Sequence, residues 1–199
     1  MRSRTRLLVS GCLLSLLLGG GQPPAAAAPE HFVIEPSHTF PTFEVSHLGY
    51  SFHRGRFNRS SGTIVLDRAA RRGQIDVTID TASLDTGDAK LEQELHGKDF
   101  FDVANHPEMR FRSERLVFRG DAVAAAHGTL TLLGASRQVT LEINHFFCAT
   151  HPLTRKYVCG ANVVTTLRRS DFGMTKYVPF VGDEVRITIQ VEAERTDRD

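Results

Sequence analysis

Gln74-Ile75-Asp76-Val77-Thr78-Ile79-Asp80 alternates apolar and polar residues without a break. In an extended chain successive side chains point to opposite faces, so Ile75, Val77 and Ile79 share one face and Gln74, Asp76, Thr78 and Asp80 the other. That is the pattern of an antiparallel strand buried on one side. It returns in Val139-Thr140-Leu141-Glu142-Ile143-Asn144 and in Val185-Arg186-Ile187-Thr188-Ile189-Gln190-Val191-Glu192. Rougher versions run over 43–46, 55–66, 109–118, 127–133 and 158–167, the second of them broken near Ser60-Ser61-Gly62. Turn signals at Arg72-Gly73, Arg119-Gly120-Asp121, Gly134-Ala135-Ser136 and Val181-Gly182-Asp183 separate these runs. The reading is an all-β chain of roughly eight strands.

One stretch breaks the period. Leu91 and Leu95 stand four apart between Asp88 and Gly97, which is helical spacing. Asp88 is placed to cap the start and Gly97 to end the helix in a left-handed turn. Phe100 and Phe101 follow directly. A short helix with two phenylalanines beside a sheet suits the cap of a barrel. Closure into an eight-stranded antiparallel barrel removes exposed strand edges, and such a barrel either fills itself or holds one small ligand.

Length and charge agree with this. The chain has 199 residues, 41% of them hydrophobic, with 24 Lys+Arg against 23 Asp+Glu. That suits one domain with a real core and excludes a disordered chain. Arg2, Arg4 and Arg6 precede an apolar run from Leu7 to Leu18, then Pro23-Pro24 and Ala25-Ala26-Ala27-Ala28. A basic segment, a short apolar core and small residues make a secretory leader, expected to be cleaved after Ala27. The apolar run is too short to span a bilayer. Val9-Ser10-Gly11-Cys12 resembles a lipoprotein box, but the apolar run continues past it. The domain assignment is therefore a signal peptide at 1–27 and one barrel domain at 28–199. Without the leader the chain is balanced to slightly acidic, so no electrostatic case for nucleic acid remains. The clusters Arg68, Arg71, Arg72 and Arg110, Arg112, Arg115 read as solvated strand edges and turns. The expected location is the periplasm or outside the cell.

Cys148 and Cys159 are the cysteines left after the leader. An exported chain with two cysteines is expected to join them, across a hairpin with Pro152 near its tip. A redox pair lacks the C-x-x-C spacing. A soft-metal site with His145 and His151 ranks below the disulfide.

Several segments together resemble the YceI-like family. They are Pro36-Ser37-His38, Phe43-Glu44-Val45-Ser46-His47-Leu48-Gly49, Arg54-Gly55-Arg56-Phe57-Asn58, Ser61-Gly62-Thr63-Ile64, 79–87, 95–103, His106-Pro107, Leu130-Thr131-Leu132-Leu133-Gly134, Arg169-Ser170-Asp171-Phe172-Gly173-Met174 and 181–185. They stand in family order over nearly the whole chain after the leader. The Cys148–Cys159 hairpin is not part of the family pattern. The resemblance implies a lipocalin-like barrel whose interior binds a polyisoprenoid or similar lipid, with no cofactor and no established catalytic residues. By analogy it leaves room for a homodimer and for a membrane redox or lipid-delivery partner.

Alternation selects the side chains expected to face such a ligand: Phe43, Val45, Phe57, Ile64, Ile75, Val77, Ile79, Met109, Phe111, Leu130, Leu132, Leu141, Ile143 and Phe172, with Phe100 and Phe101 at the capped end. Plain core packing accounts for the same positions. His38, His47, Arg54 and Asp171 are the candidates for a polar head group. Each buried CH₂ of a ligand would gain about 0.8 kcal/mol before entropy costs. The sequence carries no H-E-x-x-H, G-x-S-x-G or phosphate loop. The second reading is an enzyme or quinone-handling partner acting on a lipophilic substrate in the same pocket.

Overall fold

The computed structural model describes residues 28–196. The expected leader and Cys12 lie outside them. The strand segments are β1 (Glu30–Ile34), β2 (Phe40–His47), β3 (Ser51–Phe57), β4 (Ser60–Asp67), β5 (Arg72–Asp80), β6 (Leu84–Asp85), β7 (Glu108–Arg119), β8 (Ala122–Leu132), β9 (Ala135–Thr150), β10 (Tyr157–Arg168) and β11 (Val181–Arg195). One helix, α1 (Ala89–Leu95), lies between β6 and β7. All strand pairs are antiparallel.

These segments form eight walls, because three walls are interrupted. β1 and β2 are one strand broken by a 3₁₀ turn at Pro36–His38, where proline has no N–H to give a ladder. Glu35 caps that turn by accepting from the Ser37 N–H. β3 and β4 are broken at Asn58-Arg59, a little before the expected Ser60-Ser61-Gly62. β5 and β6 are broken by a turn that Asp80 caps through the Ala82 N–H. The ring closes at β1: Phe32 pairs with Ile64 on β4 and with Arg195 on β11.

Some local expectations are corrected. The closing strand β1 was not among the alternating runs, since it offers only five residues. Arg72-Gly73 is no turn: the left-handed residue is Arg71, and Gly73 sits inside β5. A Cβ there would come within 2.7 Å of Leu116 Cδ1, so the glycine serves packing. The Gly134-Ala135-Ser136 turn sits one residue earlier, at Leu133-Gly134, and Val181-Gly182-Asp183 opens β11 in a stretch where its register shifts against β2. Helix α1 starts as expected, with Asp88 accepting from the Lys90 and Leu91 N–H groups. It ends at His96 in right-handed conformation, so Gly97 is not a left-handed stop.

Two glycines make room for rings. A Cβ on Gly55 would stand 2.6 Å from Phe43 Cζ, and one on Gly128 would stand 2.6 Å from Phe111 Cζ. Each glycine thus leaves room for the ring carried by the neighbouring strand.

The end of the barrel far from α1 is closed by a polar latch. Cys148 and Cys159 face each other across β9 and β10 and are joined by a disulfide. Arg68 donates to Cys148 Sγ at 3.1 Å and pairs with Glu30 at 3.0 Å. Arg195 reaches the same Glu30 at 3.3 Å. The bridge closes a short loop, so its entropic contribution is about 3 kcal/mol. The double substitution Cys148→Ser, Cys159→Ser should therefore lower unfolding stability by about 2–3 kcal/mol in denaturant titrations, without changing the strand signal in circular dichroism.

Candidate apolar ligand cavity

Two cavities occupy the barrel interior. The larger, about 300 Å³, lies under α1. The smaller, about 120 Å³, lies towards the disulfide end. Strand β11 crosses both: Val185 and Ile187 line the larger, and Ile189, Val191 and Ala193 line the smaller. Phe43 stands over Pro41 on β2 in the same way, and Met109 over Phe111 on β7. Such positions are consecutive inward residues, about 7 Å apart along a strand. On these strands the two linings therefore adjoin, with no inward position between them.

All the apolar candidates line one chamber or the other. Phe43, Val45, Phe57, Phe100, Phe101, Met109, Leu130, Leu132 and Phe172 surround the larger. Ile64, Ile75, Val77, Ile79, Phe111, Leu141 and Ile143 surround the smaller. Phe57 joins the aromatic wall of the larger chamber, with its ring 6.2 Å from Phe43 and edge-on to Phe101 at 5.3 Å. Sequence reasoning missed the β11 residues as lining, although their alternation is as strict as that of β5. It also missed Leu91 and Leu95, which α1 turns into the larger chamber.

The polar candidates divide. His47 and Arg54 border the larger chamber, and His53, which was not singled out, stacks on His47 with ring centres 4.0 Å apart. Arg54 is tied to Glu44 at 2.6 Å. His38 lies on the outer surface, bonded to Glu35 at 2.6 Å, and borders neither chamber. Burial works against the Glu35 carboxylate, yet Ser37 and His38 together hold its pKa below the usual value. Asp171 is exposed in a shallow outer groove, also away from the chambers. His38 falls outside because its 3₁₀ turn is exposed throughout, and Asp171 because the turn after β10 points Arg169 and Phe172 inward and leaves Asp171 facing out.

The rim is held by ionic contacts. Lys176 reaches Asp99 at 3.1 Å and Glu94 at 3.3 Å, and the Tyr177 hydroxyl donates to Glu94 at 2.9 Å. Asp99 first, and then Glu94, raise the Lys176 pKa, so this cation stays charged. Asp183 accepts from the Ser170 N–H and hydroxyl and from Arg168. Burial opposes its charge, but those three donors win and hold its carboxyl below the ordinary range. Arg169, only 7% exposed, lines the larger chamber and donates to the Gly182, Met174 and Val181 carbonyls.

Comparison with known proteins gives this architecture its place. The YceI-like domain description matches residues 32–193. The chain belongs to the YceI-like family. A UPF0312 protein of Pseudomonas savastanoi pv. phaseolicola is 36% identical over 170 residues, covering 84% of this chain and 86% of that protein. The crystal structure of a Campylobacter jejuni YceI protein is 28% identical, with TM-score 0.65 over 76% of this chain and 90% of that one. A Saccharophagus degradans domain, described as a polyisoprenoid-binding domain implicated in plant cell wall breakdown, has the same fold at 13% identity and TM-score 0.63. It covers 83% of this chain and 98% of its own. The lipocalin-like reading of this YceI-like barrel therefore stands, with the Cys148–Cys159 bridge at the end opposite the helix.

Proposed function

We propose that this YceI-like protein holds a polyisoprenoid or a similar long apolar chain inside its barrel, for transport or storage, after export and removal of residues 1–27. The observation that carries this reading is the stacked pair of apolar chambers, walled mostly by Phe, Leu, Ile and Val. The larger sits at the lower end of the size range of small-molecule sites, about 300–1,000 Å³. A chain entering under α1 fills it first and extends from there towards the smaller chamber that adjoins it. His47, His53 and Arg54 stand where the head group would remain. The reading is of binding and not turnover: Arg54 is committed to Glu44, and Lys176 to Glu94 and Asp99. The described polyisoprenoid binding of the Saccharophagus degradans domain, which shares the fold, agrees with this ligand class.

The test is native mass spectrometry of protein purified from its own host, followed by organic extraction. The expected result is a lipid adduct that extraction removes and identifies as a long unbranched or prenyl chain. Protein that carries no lipid, and takes none up when a prenyl alcohol is supplied, overturns the reading. Steady conversion of a supplied prenyl substrate would support the enzymatic alternative instead.

A further inference from the structure

Six of the ten large apolar side chains exposed among the described residues lie in two neighbouring loops. Leu48, Tyr50 and Phe52 stand at the β2–β3 turn, and Tyr177, Val178 and Phe180 in the segment before β11. The loops are joined by a hydrogen bond from the Leu48 N–H to the Phe180 carbonyl at 2.8 Å. Tyr50 is 89% exposed and Phe180 69% exposed. The collar runs directly into the larger chamber, because His47, Tyr177 and Val181 border that chamber from the same two loops.

The backbone gives a second, independent sign. Leu48 has φ 54° and Gly49 φ 75°, the pair of left-handed residues that a tight hairpin turn normally fills with Asn-Gly or Asp-Gly. Tyr177 also has a left-handed φ of 65°. A bulky side chain is disfavoured in that region. The fold accepts this strain at both loops, yet Leu48 and Tyr177 remain about half exposed. Tyr177 also lines the chamber, whereas Leu48, half-exposed and lining neither chamber, is left to meet a surface outside the chain.

We infer that this collar seats the protein on the surface of a lipid bilayer, with the chamber doorway turned towards the hydrocarbon. The inference rests on the carrier reading above and names the source and destination of the cargo. Apolar surface runs from chamber wall to collar, so a chain leaving the barrel at a bilayer would avoid crossing water. Large exposed apolar patches mark interaction surfaces, and aromatic side chains such as Tyr50, Phe52, Tyr177 and Phe180 suit the membrane–water boundary. A second copy of the protein seated collar to collar would cover the doorway instead, which conflicts with loading and release.

The test compares the wild-type protein with the variant Leu48→Asn, Tyr50→Ser, Phe180→Ser. None of these residues lines a chamber, and asparagine suits the left-handed position at 48. Both proteins are used in the same N-terminal form, checked by mass, so that residues 1–27 contribute equally. Flotation with vesicles of phosphatidylethanolamine and phosphatidylglycerol should fall at least about ten-fold in the variant. Transfer of a fluorescent long-chain alcohol out of those vesicles should slow by a similar factor. Uptake of the same alcohol from dilute solution should be unchanged, and the thermal midpoint should not fall. Leu48→Asn alone, which should raise the midpoint slightly, checks that the turn folds. Equal flotation of both proteins, or flotation of neither, overturns the inference. So does a wild-type dimer that the variant dissociates and that no vesicle recruits. If neither protein takes up the alcohol from solution, the carrier reading fails, and flotation still decides the collar separately.

Discussion

Val45→Trp should empty the barrel of lipid while leaving it folded. Val45 lies on β2, pairs with Val185 and His53, and turns its side chain into the larger chamber. An indole carries far more apolar surface than an isopropyl group, and the free volume of about 300 Å³ is where it would go. The space that accepts a ligand is then occupied by the protein itself. Lipid recovered by organic extraction should drop by at least about a hundred-fold, since several CH₂ contacts of ~0.8 kcal/mol each are replaced. The midpoint of the lipid-free protein should hold or rise, because filling a cavity stabilises. A companion in the smaller chamber, Ile143→Phe, separates the two spaces. It should leave binding intact but shift the extracted lipid to shorter chains. Full lipid loading of Val45→Trp would mean that the ligand does not use the barrel interior.

How much of this was legible in the sequence follows from the length of each signal. Strands β5, β9 and β11 announce themselves because alternation persists long enough to exclude a helix, and one inward face per strand then gives the chamber wall. That is why Ile75, Val77, Ile79, Leu141 and Ile143 all point inward. β1 was not legible: five residues carry too few alternations, although its Phe32 is among the most buried side chains and its pairing closes the ring. The polar mouth was only half legible. His47 and His53 meet because they sit either side of a tight turn, a local fact. His38 and Asp171 sit in equally recognisable motifs, but their side chains end outside the barrel, and no local pattern distinguishes the two cases. The division into two chambers was not legible at all. It depends on which inward residues of different strands stand level with one another, and the register across the sheet sets that.

Arg169→Met should cost about as much stability as truncating a large side chain of the core. The guanidinium is almost fully buried, and among the described residues no carboxylate is in direct contact with its charge; burial pushes its pKa down and the nearby Asp183 opposes this. What compensates is geometry. Nε donates to Gly182, Nη1 to Met174 and Nη2 to Val181, at 2.8–2.9 Å. One side chain thus pulls the segment from Met174 to Gly182 onto the turn that carries Phe172, and so sets the shape of the rim. Methionine preserves most of the apolar stem but leaves three carbonyls without that donor. Hydrogen bonds to a charged group contribute ~1.5–3 kcal/mol each, and partial rehydration of this edge segment would recover some of it, so a loss of about 3 kcal/mol is expected. For a domain of this size that lowers the thermal midpoint by about 6–12 °C. Hydrogen exchange should accelerate selectively between residues 174 and 182, with β5 to β9 unaffected until global unfolding. Arg169→Lys should recover only a minority of the loss, since an ammonium cannot span three carbonyls fixed in the plane of a guanidinium. Uniform acceleration of exchange across the barrel would show instead that Arg169 supports the core as a whole and that the rim has no separate latch.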